Sequence, residues 1–112
     1  MARTPQNYSH NNQLSSSAES LIAAVSANTT EIVRTLKFRN TGSSVRTVTV
    51  YIVESGGSAD TGTELIAKAI SAGKTWNVID VQGESFTEGM SLQAKQDAGT
   101  DVNANCSGTQ VT

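Results

Sequence analysis

One cysteine and one histidine in 112 residues leave little reactive chemistry to assign. The single thiol, Cys106, cannot close an internal disulfide, and its place in an alternating run between Ala104 and Gly108 reads as a small buried hydrophobe rather than a reactive thiol. His10 lies in a polar N-terminal stretch, so Ser-His-Asp and Cys-His arrangements have no base to work with. Structural zinc needs three or four His or Cys ligands, and one of each is present. Aromatic residues are also scarce, with one Trp, two Tyr and two Phe, so a core must come from Val, Ile, Leu and Ala. Such a core stabilises at roughly 25 cal/mol per Å² buried, close to what chain ordering costs, and a domain built on it gains from oligomerisation. Charge of one sign is missing too. Eight Lys and Arg stand against ten Asp and Glu, scattered along the chain, which argues against nucleic acid as a partner. No apolar run approaches the roughly 20 residues of a membrane helix, and the N-terminus leads into polar residues where a signal peptide has its apolar core. No membrane partner and a cytoplasm-like compartment are the expectations.

The remaining chemistry is thin. Carboxylates flank three loops as Asp60 and Glu64, Asp80 and Glu84, and Asp97 and Asp101, without the dense alternation of oxygen ligands that a calcium cage requires. Glycoside hydrolysis needs two acids across a cleft, for which a domain of this size has little room. Gly56-Gly57 is followed by Ser58 and Ala59, with neither lysine nor helix, so it is no phosphate cradle. Neither a cofactor nor a catalytic site is expected.

The length suits one domain. Residues 1–19 are rich in Asn, Gln and Ser, with Tyr8 and Leu14 as the larger apolar groups, which marks a polar arm without a partner in its own chain. From Ser20 to residue 112 the period is two, with turn residues every 8 to 12 positions. Leu21 to Val25 form a short strand. In the next, Ile32, Leu36 and Phe38 face one way and Glu31, Thr35, Lys37 and Arg39 the other, with Arg34 interrupting the inward row. Val48, Val50 and Ile52 alternate with Thr47, Thr49, Tyr51 and Val53 in the clearest strand, whose second face is apolar enough to be central or to meet another subunit. Segments 64–70 and 75–81, joined by Ser71-Ala72-Gly73-Lys74, predict a hairpin. Further strands fall at 84–87, 91–96 and 102–111. Seven or eight strands predict an all-β, antiparallel β-sandwich, jelly-roll or immunoglobulin-like, behind an extended N-terminal arm. Trp76 has two readings: a core anchor in register with Val78, which the register favours, or with Tyr51 a platform for a sugar ring.

Ser26 to Arg34, Arg39-Asn40-Thr41-Gly42, Thr47 to Tyr51, Leu65-Ile66-Ala67-Lys68, Ala72-Gly73-Lys74-Thr75 and Gly89 to Ala94 together resemble small β-sandwich virion structural proteins of tailed bacteriophages. The resemblance spans about residues 20–112 and rests on strand-and-turn residues. It implies a non-enzymatic protein of the virion, assembled in the host cytoplasm: capsid decoration or cement first, with a tail or neck component, or a carbohydrate- or receptor-binding module, as alternatives. It also implies a homo-oligomer, a trimer first, whose partners are capsid or tail proteins of the same particle. Residues expected to meet partners are Arg3, Tyr8 and Leu14 in the arm, with Arg34, Tyr51 and Trp76 in the domain.

Overall fold

A computed structural model describes residues 2–112. Among the described residues, nine strands form two antiparallel sheets: β1 (Arg3–Gln13), β2 (Glu19–Ile22), β3 (Thr30–Asn40), β4 (Arg46–Val53), β5 (Glu64–Ile70), β6 (Thr75–Asn77), β7 (Ser85–Phe86), β8 (Ser91–Gln96) and β9 (Val102–Val111). Sheet A has the order β1-β9-β3-β6, with β7 also on β3, and sheet B has the order β2-β8-β4-β5. Four of the pairs nest inside one another, β4 with β5, β3 with β6, β2 with β8 and β1 with β9, as in a single long hairpin wrapped into two layers. Of the two sandwich topologies the sequence leaves open, this nesting is the jelly roll.

Alternation builds the core. Val102, Ala104 and Cys106 of β9 lie opposite Asn40, Phe38 and Leu36 of β3, and these side chains face Val48 and Val50 of β4 and Leu92 and Ala94 of β8 across the layers. Trp76 packs here too, its ring 5.7 Å from that of Phe38, in the core register with Val78. Cys106 is buried as expected.

Four features depart from the sequence reading. First, residues 3–13 are not a partnerless arm: they form β1, the edge strand of sheet A, hydrogen-bonded along β9, while Leu14 is wholly buried. A polar strand can do this because an edge strand satisfies its backbone on one side and leaves its side chains in water. Second, the predicted hairpin of 64–70 with 75–81 does not form. The turn is present, with the Lys74 N–H donating to Ser71 O at 3.1 Å, but β5 stays in sheet B while β6 crosses to sheet A. Third, β3 and β9 shift register between Val33 and Thr35, placing a bulge at Arg34. The extra residue flips the parity, so Val33 and not Ile32 is the first apolar residue of the inward row, following Glu31. Fourth, the strands among the described residues number nine because β1 adds to the eight read from sequence, and the strand expected at 75–81 is cut short to β6 by a 3-10 turn at Ile79–Val81.

Asn40 fastens the point where the chain changes sheets. Its Nδ2 donates to Ser44 O at 2.7 Å and to Ile70 O at 2.9 Å, and its Oδ1 accepts from the Gly42 N–H at 3.0 Å. Its backbone N–H donates to Lys74 O and its carbonyl accepts from the Gly73 N–H, so one buried residue holds the ends of β3 and β5 and the start of β6 together.

Candidate interaction surfaces

The strands of sheet A contain a single carboxylate, Glu31, and it points inward. Its Oε1 accepts from the Tyr8 hydroxyl at 2.8 Å and its Oε2 from Gln110 Nε2 at 2.9 Å. Burial, then the hydrogen bond and charge of Glu31, push the Tyr8 phenol well above the usual tyrosine range. Tyr8 sits at a register shift in β1, and its ring edge would lie 3.0 Å from any Cβ at position 108, so a glycine there makes room for it. This cluster ties β1 to both β9 and β3.

With Glu31 turned inward, the outer face of sheet A is left cationic. Lys37 and Arg39 of β3 lie opposite Asn105 and Asn103 of β9 on one side, and opposite Asn77 and Thr75 of β6 on the other. Arg34 is brought to the same face by the bulge, its Nε donating to Thr109 Oγ1 at 3.5 Å. All three cations are exposed, and among the described residues none is in an ion pair. The ion pair present is Arg46 Nε with Asp101 Oδ2 at 2.8 Å, at the end of the sandwich that also holds Asn40. The face is therefore basic, and lined with amides and hydroxyls.

The opposite end carries the other sign. Loops 23–29, 54–63 and 87–90 meet there: the Val25 N–H donates to Met90 O, the Gly89 N–H donates to Val25 O, and Gly89 abuts Ser55. These loops contribute Glu54, Asp60 and Glu88, all exposed, and no Lys or Arg.

Of the residues singled out from sequence, Arg3 and Arg34 are exposed and Tyr8 is half-buried. Leu14, Tyr51 and Trp76 are buried within their own chain, Trp76 with 8% of its surface accessible and Tyr51 with 5%. Arg34 is thus joined by Lys37 and Arg39, whose outward alternation was visible in the sequence but whose isolation from acid was not. Among the described residues, no group of three or more His, Cys, Asp or Glu side chains gathers as a metal site would require.

No family model and no curated protein matches the chain. Its fold is similar to part of a chain in the structure of infectious bursal disease virus, Gx strain, at 14% identity and a TM-score of 0.50, covering 97% of this chain and 31% of that one. A chain of the T13 viral particle of the same virus is similar at 15% identity and a TM-score of 0.50, covering 97% of this chain and 30% of that one. The chain thus spans about a third of the length of each, and at these identities the likeness is one of fold.

Proposed function

We propose that this chain is a non-enzymatic structural protein of a virus particle, a capsid decoration or cement protein of a tailed bacteriophage. In this reading the jelly roll supplies the surfaces between subunits and residues 1–19 supply a tether. The observation that carries it is a fold likeness, at a TM-score of 0.50 over 97% of this chain, to a portion of chains from a virus, on a molecule whose exposed basic face makes no ion pair among the described residues. The tether acts by exchange: β1 leaves its own β9 and takes the same place on the β9 of a neighbour. A strand that is polar, at an edge, and interrupted by two register shifts is suited to such exchange.

Adding the purified protein back to particles assembled without it tests the reading, with co-sedimentation as the readout. Stoichiometric binding to shells is expected; binding to tails alone would move the protein to a tail or neck role, and binding to neither would refute it. The exchange is tested by placing cysteines at the directly opposed positions Asn7 and Ser107. The crosslink is expected within one chain in solution and between chains on particles. A carbohydrate-binding role resting on Trp76 and Tyr51 has no exposed ring to stack on a sugar.

A further inference from the structure

We infer that copies of this chain associate head to tail, the acidic tip at Glu54 and Glu88 of one copy docking on the basic outer face of sheet A, at Arg34, Lys37 and Arg39, of the next. The molecule carries a net charge of −2, so a basic surface is not a consequence of overall composition. It arises because the strands of sheet A hold one carboxylate, which is turned inward to Tyr8 and Gln110, while Arg34, Lys37 and Arg39 project outward from β3, the last two opposite uncharged strand partners. The tip loops hold carboxylates and no cation. Each surface lacks within its own molecule what the other supplies.

The face is a sheet surface of alternating short polar side chains, and the tip is formed by loops that reach out from the end of the sandwich. Asp60 shapes one of these loops, its Oδ1 accepting from the Gly62 N–H at 2.9 Å, and Glu54 and Glu88 are the exposed carboxylates on either side of the Ser55–Gly89 contact. Because face and tip are different surfaces, the contact is heterologous: it closes into a ring where the rotation between copies permits and otherwise extends into a chain. The inference rests on the reading that copies of this chain assemble, but not on a virus particle. Purified protein alone therefore tests it separately from the add-back experiment above.

The test uses charge reversal at exposed positions and measures mass by sedimentation equilibrium, with circular dichroism to confirm folding. The face variant is Arg34→Glu/Lys37→Glu/Arg39→Glu and the tip variant is Glu54→Lys/Glu88→Lys. Wild-type protein is expected to associate at low salt, and to dissociate near 1 M salt, where screening acts over about 3 Å. Each variant alone is expected to weaken association on the order of tenfold or more. A mixture of the two is expected to associate again, because each then offers the sign the other needs, and a chain carrying all five substitutions is expected to self-associate. A wild-type monomer at high concentration overturns the inference. So does an oligomer insensitive to either variant, or a failure of both the mixture and the five-fold variant to recover association.

Discussion

Replacing Asn40 by alanine removes three side-chain hydrogen bonds at a buried site and leaves Ser44 O, Ile70 O and the Gly42 N–H without their partners. At roughly 0.5–1.5 kcal/mol for each bond, and more where the stranded group stays buried, the loss is about 2–4 kcal/mol. That is a large share of the roughly 5–15 kcal/mol available to a small domain, and it corresponds to a fall in Tm of about 10–15 °C. Asn40→Asp sharpens the test, because it keeps the shape and changes only the chemistry. An ionised carboxylate would face two carbonyl oxygens that now receive N–H bonds, so burial and repulsion raise its pKa above the unfolded value. The stability of this variant is then greatest below the unfolded aspartate pKa, near 4, and is lost as pH rises. Urea unfolding followed by Trp76 fluorescence, at pH 4 and pH 7, measures both effects. If Asn40→Ala unfolds within about 0.5 kcal/mol of the wild type, or Asn40→Asp shows no greater pH dependence than the wild type, the assignment of Asn40 as the fastening of the two sheets is wrong.

Gly108→Ala would drive a methyl group into the carbonyl oxygen of Ile32 and toward the Tyr8 ring, at a cost of about 3 kcal/mol, readable in the same unfolding assay; a neutral result would remove the close approach of β3 and β9 from the account. Trp76 should emit as a buried indole, and Trp76→Ala should lower stability by about 3–5 kcal/mol through loss of its packing on Phe38, whereas a red-shifted native spectrum would contradict the core placement. Burial pushes the Cys106 thiol up to about 12 from an ordinary value of 9. Below pH 9 the folded and unfolded thiols are both protonated and nothing is lost; above it the unfolded chain ionises first, so stability should fall by up to about 1.4 kcal/mol per pH unit, and Cys106→Ala should flatten that slope. Thiol reagents at pH 8 should label Cys106 only as fast as the protein opens.

The parts of this fold that were readable beforehand are those in which local pattern and final environment agree. β4 alternates without a break because β8 holds it in continuous register from Val48 to Val53, and β9 alternates through Val102, Ala104 and Cys106 because it is central. The parts that were not readable depend on contacts distant in sequence. The turn at Gly73 is the same turn whether the next strand folds back or crosses to the other sheet, and what decides is Asn40, more than thirty residues upstream. The bulge at Arg34 shows in the sequence only as a cation in an apolar row, an anomaly that the third dimension explains by moving it to the outer face. Residues 3–13 carry almost no apolar signal, so nothing local marks them as a strand; their partner is the other end of the chain. The basic face was half visible, since Lys37 and Arg39 alternate outward. The inward turn of Glu31, which leaves that face without acid, required Tyr8 and Gln110 to be brought beside it.

The place of β9 between β1 and β3 bears on how the molecule is made. A ribosome delivers the strands of sheet B and both flanks of sheet A first, yet β1 has no strand to join, and β3 has only β6 and β7, until residues 102–111 emerge. Until then one backbone edge of β3 and the backbone edge of β1 stay open to other chains. A nascent polypeptide halted before residue 102 should be digested rapidly by protease and bound by chaperones, and ten further residues should close the sheet in a single late step.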